Sequence, residues 1–474
     1  MTASAPINLS ATPAVIDHDA ITTLLDKTAA EDAVHISEIL DKARGLKGLS
    51  PSDTAALLAI ESDGLIAELF RTASEVKDEI YGKRLVLFAP LYISNYCSNT
   101  CLYCAFNAKN TSLKRRALSQ SEIAHEVSTL LAAGHKRILL VAGESPAKSS
   151  LDYVCQSIET IYATGDKDHI RRVNVNIAAM SEAGYAQLKE YRLGTYQLFQ
   201  ETYHEPTYRS MHTAGPKSDY TYHLTAMDRA MSAGIHDVGI GALLGLYDHR
   251  YEVLAMLQHA AHLESRFGAG PHTISVPRIE PAAGSAVADA PPYALSDRDF
   301  AKVIAVLRLA VPYTGIILST RESASVRKRA LDLGVSQISA GSRTNPGGYC
   351  ESETDEDAGQ QFQLGDHRSL DEVIKDCLQA GFLPSFCTGC YRKGRVGKDF
   401  MDLAKPGLIK HYCLPNAILT LKEYLEDFAS EETKQIGLDA IKKHLLDIPT
   451  DKRRAQTEEK VAAIQNAAKR DLYF

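Results

Sequence analysis

Apolar residues follow two different patterns along the chain. Up to about residue 80 the sequence is alanine-rich with a helical period. There Ser50-Pro51-Ser52-Asp53 opens a segment whose apolar positions Ala55, Leu57, Leu58 and Ile60 fall on one face. From residue 84 short β-branched runs alternate with longer amphipathic stretches, the pattern of strands feeding parallel crossovers. Runs at 84–94, 137–143, 173–178, 195–200, 237–243, 273–278, 315–319 and 337–340 predict eight strands. Between the first two, Ser119-Gln120-Ser121-Glu122 predicts a capping box and Gly134 the left-handed position past the helix end. Eight strand–helix units predict an α/β fold of (β/α)8 TIM type; periodicity leaves open whether the sheet closes. After about residue 350 the strand pattern stops, and the rest reads as loops and helices ending in the charged stretch 451–470. The expected organisation is a helical extension over 1–80, a barrel over 81–350 and a mainly helical domain over 351–474.

With 474 residues and 45% hydrophobic content, the chain is long enough for one large barrel with additions. The net charge of −7 and the absence of a basic block argue against nucleic-acid binding. No run approaches the ~18 apolar residues of a membrane helix, and residues 1–8 lack the features of a signal peptide. A cytoplasmic protein with no membrane partner is expected. The nine cysteines cluster rather than spread, which suits metal ligation in a reducing compartment better than disulfides.

Cys97, Cys101 and Cys104 have the spacing C-x3-C-x2-C and follow the first strand run directly, where barrel chemistry gathers. Three thiolates can hold three irons of a 4Fe-4S cluster and leave the fourth open to a substrate or cofactor. A zinc knuckle would need a fourth ligand nearby, yet no His or Cys follows Cys104 before His125. The motif resembles that of the radical S-adenosylmethionine (SAM) enzymes, which implies that SAM chelates the open iron. A second trio, Cys387, Cys390 and Cys413, has the spacing C-x2-C-x22-C. It fits another three-ligand cluster, and zinc stays open there because His411 could complete a Cys3His set. Cys155, Cys350 and Cys377 have no partner at motif spacing and read as small hydrophobes.

The two trios together resemble the radical SAM tyrosine lyase of FeFe-hydrogenase maturation, the HydG family. Gly270-Pro271-His272-Thr273-Ile274-Ser275 and the segment 239–246 add to the likeness, which covers residues 80 to 425. It implies two 4Fe-4S clusters, the second with an additional iron, and SAM as cofactor. It also implies cleavage of the Cα–Cβ bond of L-tyrosine to p-cresol and dehydroglycine. Carbon monoxide and cyanide then form at the second cluster and make an iron-carbonyl-cyanide unit for the hydrogenase H-cluster. Downstream maturases and a low-potential ferredoxin- or flavodoxin-type donor are the implied partners. Two alternatives are the thiazole-forming tyrosine lyase of thiamine biosynthesis (2-iminoacetate synthase) and another radical SAM enzyme with an auxiliary cluster. A pure electron carrier would close its cluster with four protein ligands.

The chemistry names further candidates. Tyr103 stands where an aromatic can face adenine, and Glu144, in a Gly-Glu element after the second strand run, can accept from the SAM ammonium. Asn174 and Asn176 are polar, two apart and so on one face of a strand, suited to a ribose or carboxylate. Glu201 ends the fourth run and is a second SAM contact, with His204 a weaker one. His223 stands where related lyases carry arginine for the SAM carboxylate, with Arg229 as a substitute. Arg321, ending the seventh run, can hold the tyrosine carboxylate through paired hydrogen bonds, helped by Ser319. Arg343, which could instead pair with Glu322, is the second choice for that role. By the resemblance, His272 binds the additional iron, a fitting role for imidazole. A channel through the barrel is expected to join the two clusters, with the C-terminal trio at the end opposite the first.

Overall fold

The computed structural model describes residues 15–28, 32–166, 168–350 and 359–474. Eight parallel strands follow the predicted runs: β1 (Arg84–Ser94), β2 (Arg137–Ala142), β3 (Arg172–Asn176), β4 (Tyr196–Gln197), β5 (Val238–Gly241), β6 (Thr273–Ser275), β7 (Gly315–Leu318) and β8 (Gln337–Ser339). They neighbour one another in chain order, and β1 pairs with both β8 and β2, so the sheet closes into a barrel. Strands covered on both faces read as continuous apolar runs rather than alternation; β1 is buried along its length after Arg84.

The crossover helices form as their caps dictate. Gln120–Ala132 starts with a reciprocal capping box, in which the Glu122 amide donates to Ser119 Oγ at 3.3 Å and the Ser119 amide to Glu122 Oε2 at 2.6 Å. Its buried residues Ile123, Val127, Leu130 and Leu131 share one face. Gly134 follows with φ +97°, and a Cβ there would meet the Tyr424 ring at 2.7 Å. The extension holds helices His18–Lys27, Ala33–Arg44, Pro51–Leu58 and Asp63–Tyr81; the last packs on the barrel helix Asp297–Ala310.

Past residue 359 the chain is mainly helical, with Leu370–Gln379, Lys410–Asp427, Glu431–Leu445 and Asp451–Ala467 as its longer helices. The expectation that strands end near residue 350 is corrected by a ninth, β9 (Leu383–Ser385). It pairs with the first residues of β1, Leu383 beside Arg84 and Ser385 beside Val86. Three residues containing a proline carry no alternation to read, and an edge position needs none.

Barrel interiors are ordinarily filled by bulky branched side chains. Here glycines and polar residues, Gln197, Gly239, Thr273, Gly315 and Gln337, share the interior with apolar residues such as Phe88, Leu139 and Ile317. A Cβ on Gly239 would lie 2.5 Å from Thr273 Oγ1 and 2.9 Å from Gln197 Cγ, and one on Gly315 would lie 2.8 Å from Gln337 Nε2. The Thr273 hydroxyl is buried with no hydrogen-bond partner among the described residues.

Candidate active site

At the C-terminal end of the barrel β1 delivers the chain into the first cysteine loop, which is clamped to the end of β2. The Gly143 amide donates to Ser94 O at 2.9 Å, and the Ser98 amide to Glu144 O at 2.6 Å. Asn99 Nδ2 donates to Glu144 Oε2 at 2.6 Å, and its Oδ1 accepts from the Lys217 amide at 2.9 Å. Cys97, Cys101 and Cys104 thus line one cavity with Glu144, Asn176, Glu201, Lys217 and His223. Burial pushes the Cys101 thiol up to about 12 and Cys104 to about 11. Thiols this reluctant to ionise need bound metal to become thiolates.

Glu201 holds a left-handed φ of +70° and an ion pair with Lys217 Nζ at 2.6 Å. A non-glycine residue held there is backbone strain of the kind that gathers at functional sites. Burial holds Glu144 above its ordinary carboxylate value. Tyr103 Oη lies 2.8 Å from His212 Nε2; because His212 Nδ1 faces the Tyr208 carbonyl at 2.8 Å, Nε2 is the acceptor and Tyr103 the donor. Burial pushes His223 down to about 3, and its Nε2 donates to Phe199 O at 2.9 Å, so a neutral ring faces the cavity.

Three candidates are not brought here. Asn174 lines neither cavity of this end: its Oδ1 accepts from the Thr195 amide at 3.0 Å and ties β3 to the residue before β4. Parity sets a strand residue's face but not its depth. Arg229 spends its guanidinium on Met180 O, Thr225 Oγ1 and Tyr222 O. His204 stacks on Tyr247 at 3.8 Å and does not line the cavity.

Deeper along the barrel axis lies a second cavity of about 150 Å³, shared with Tyr103 and Cys104 and lined by Tyr92, Ser319 and Arg321. The Arg321 guanidinium lies 3.2 Å from the Phe362 ring centroid and has no hydrogen bond or ion pair among the described residues. An uncommitted guanidinium in a cavity fits a carboxylate ligand. Arg343 does not line this cavity, and Glu322 is held by Arg278, with Nε to Oε1 at 3.0 Å. Glu280 also lines it, its carboxyl raised to about 6 by burial and by Glu322. Sequence reading missed Glu280, Lys217 and Phe362. Glu280 sits in Arg278-Ile279-Glu280-Pro281, just past the end of a strand run, a position that could have flagged it.

The other end holds a third cavity, lined by Arg84, Arg137, Asp237, His272, Gly315 and Gln337 at or near the strands' N-terminal ends and by Cys387, Cys390 and Cys413. Strand β9 leads into the Cys387 loop, and helix Lys410–Asp427 supplies Cys413. The Gly389 amide points at Cys387 Sγ from 3.3 Å. Burial raises Cys390 to about 12 and also raises Cys413. Burial keeps His272 neutral, its Nδ1 is buried without a partner among the described residues, and Asp237 Oδ1 stands 3.7 Å away. A neutral imidazole with an uncommitted nitrogen is a metal ligand's form. His411 is not among the lining residues. Among the described residues no three His, Cys, Asp or Glu side chains converge on one metal ion. Tyr81, where the helix Asp63–Tyr81 ends, also lines this cavity.

Residues 91–260 match the radical SAM superfamily and 275–383 the biotin and thiamin synthesis associated domain. The chain is 31% identical over 359 residues to the 2-iminoacetate synthase of Escherichia coli (strain K12), covering 76% of this chain and 90% of that one. It superposes on a crystal structure of HydG, a maturase of the FeFe-hydrogenase, with TM-score 0.93 and 50% identity, covering 97% of this chain and 100% of that one. For the FeFe-hydrogenase maturase HydG from Carboxydothermus hydrogenoformans the TM-score is 0.80 and the identity 41%, over 94% and 100%. With this barrel, both cysteine trios and these likenesses, the chain belongs to the HydG family of radical SAM enzymes.

Proposed function

We propose that the protein is a radical SAM L-tyrosine lyase that makes an iron-carbonyl-cyanide unit for the FeFe-hydrogenase. The observation that carries this reading is the pair of three-cysteine cavities at opposite ends of one barrel. Bound at Cys97, Cys101 and Cys104, a 4Fe-4S cluster with SAM supplies a hydrogen-abstracting radical. Glu144 and Glu201 are anionic acceptors for the SAM ammonium, and Asn176 lines the same cavity with its amide. In the adjoining cavity Arg321 holds the tyrosine carboxylate, Ser319 adds a hydroxyl, and the buried walls exclude water from the cleaved amino acid. Cys387, Cys390 and Cys413 hold a second cluster, and His272 its additional iron. The released imino acid passes along the barrel interior rather than through bulk water. We assign residues 1–80 to an extension, 81–350 to the barrel and 351–474 to the auxiliary-cluster domain, and place the reaction in the cytoplasm with a ferredoxin- or flavodoxin-type donor. No helix among the described residues is long and apolar enough to cross a membrane.

The match to 2-iminoacetate synthase supports a second reading, cleavage of tyrosine without cyanide formation. One experiment separates them. Anaerobically reconstituted protein with SAM, dithionite and L-tyrosine is expected to yield p-cresol and cyanide, and the Cys387→Ala/Cys390→Ala variant p-cresol alone. p-Cresol without cyanide from the unaltered protein would favour the second reading, and no p-cresol would defeat both.

A further inference from the structure

Two side-chain amides reach sulfurs of the first cysteine trio. One is local: Asn99 Nδ2 lies 3.7 Å from Cys97 Sγ, two residues away, and is shared with Glu144. The other comes from 257 residues away, where Gln361 Nε2 lies 3.7 Å from Cys104 Sγ. Gln361 stands in the segment between β8 and the helix Leu370–Gln379, and its backbone is tied down on both sides. Its carbonyl accepts from the Ala105 amide at 3.3 Å, beside Cys104, and its own amide donates to Thr344 O at 3.0 Å. The side chain is half-buried and lines both cavities of this end.

The amide's orientation is fixed as well. Tyr92 Oη donates to Gln361 Oε1 at 2.8 Å. Tyr92 sits on β1, only 5% exposed, with the Phe106 ring edge-on to its own at 6.0 Å between centroids. Its hydroxyl therefore has a set direction. With Oε1 occupied, Nε2 is the group left to face the sulfur. The flipped amide would set a carbonyl oxygen against a sulfur that is anionic once it ligates iron, and the two would repel. Hydrogen bonds to the sulfurs help to set a cluster's reduction potential. An N–H donor favours the reduced state, because that state carries more negative charge. Hydrogen bonds in series, from Tyr92 through Gln361 to Cys104, polarise one another and strengthen the last.

We infer that Gln361 is a positioning residue of the first cluster: its amide, aligned by the Tyr92 hydroxyl, holds the Cys104 sulfur and makes the cluster easier to reduce. The electron that cleaves SAM passes through this cluster, so the amide bears on the first step of the reaction without transferring a proton or an atom. The inference rests on membership of the radical SAM enzymes and is independent of which substrate fills the adjoining cavity.

The test is a redox titration of the first cluster, read by its electron paramagnetic resonance after anaerobic reconstitution. The Cys387→Ala/Cys390→Ala protein serves as parent, so that the resonance comes from the first cluster alone. Gln361→Leu keeps much of the side chain's bulk and removes the amide. Its cluster should be about tenfold harder to reduce, the scale of one charge-assisted hydrogen bond, which is a potential lower by about 59 mV for one electron. Gln361→Glu keeps an acceptor for Tyr92 but turns an oxygen toward the sulfur, and its potential should fall at least as far. Tyr92→Phe frees the amide to turn without removing it and should lower the potential by less. Iron content and thermal unfolding show which variants are folded and loaded. A loaded Gln361→Leu with the parental potential would overturn the inference, as would a potential that rises. Should Gln361→Leu fail to hold its cluster, parental potentials in loaded Gln361→Glu and Tyr92→Phe would overturn it equally.

Discussion

Gly143→Ala tests whether the first cysteine loop is positioned by contact with the end of β2. Nothing in the glycine's own conformation forbids a side chain, since its φ is not among the positive values. The obstacle is the loop: a Cβ would lie 2.4 Å from Tyr96 O, 3.1 Å from Tyr96 C and 3.3 Å from Cys97 Cβ. Ordinary close C···O contacts begin at ~3.3 Å, so the loop must retreat by roughly 0.9 Å. It cannot do so freely, because the Gly143 amide holds Ser94 O and the Ser98 amide holds Glu144 O. The displaced group is backbone, so no rotamer change relieves it. Overpacking of this kind costs ~1–3 kcal/mol of stability. A misplacement near 1 Å at a reacting centre costs about 100-fold in rate, or about 2.7 kcal/mol of barrier. Gly143→Ala is therefore expected to form 5′-deoxyadenosine from SAM about 100-fold more slowly, with a perturbed resonance from the first cluster. Iron analysis and thermal unfolding show whether the variant is folded and loaded. A loaded variant with parental 5′-deoxyadenosine formation and an unaltered resonance would refute the reasoning.

Three other expectations follow from the cavities. Gly315→Val puts a branched side chain against Gln337 Nε2 and Thr273; cyanide per p-cresol should fall about tenfold or more as the imino acid escapes and hydrolyses, and an unchanged ratio with no glyoxylate in solution would exclude passage there. Glu280, raised to about 6 by burial and Glu322, is ionised above that pH and neutral below it. If its carboxylate holds the tyrosine ammonium, KM for tyrosine rises as pH falls through about 6, and Glu280→Gln has a high KM flat across that window; a parental KM constant between about pH 5 and pH 7 would remove the role. His272→Ala should weaken the additional iron by at least about 10–100-fold, read as lost iron per chain with both four-iron resonances retained; an undiminished iron count would reassign the imidazole to structure.

How much of this was legible in the sequence depends on how local each determinant is. All eight barrel strands were visible because short runs rich in β-branched residues are separated by glycines, caps and amphipathic helices. The Ser119 capping box and Gly134 were visible for the same reason: a helix end is settled within four residues. Strand β9 was not, because Leu383, Pro384 and Ser385 gain their structure from distant partners, the free edge at the start of β1 and the helix Lys410–Asp427. Asn174 and Asn176 mark the boundary between the two cases. Their shared face follows from the two-residue repeat of a strand, but their separation along the barrel axis decides which one reaches a cavity, and that depends on register with β4.

Site chemistry divides in the same way. Thiol spacing announces a cluster because three ligands of one cluster lie within a short loop, and here each trio lines one cavity. The groups that would receive the organic ligands are defined by what they lack. Arg321 and Arg278 are both arginines close to the ends of neighbouring strands, and nothing in their sequence neighbourhoods separates them. Arg278 is bound to Glu322, and Arg321 faces a cavity with only the Phe362 ring against it. Glu201 is distinguished by a strained backbone and by Lys217, sixteen residues later. Sequence names the residues able to bind a carboxylate or an ammonium. Only the packed chain shows which of them are spent on the protein's own groups, as Arg278 is on Glu322, and which, like Arg321, face a cavity uncommitted.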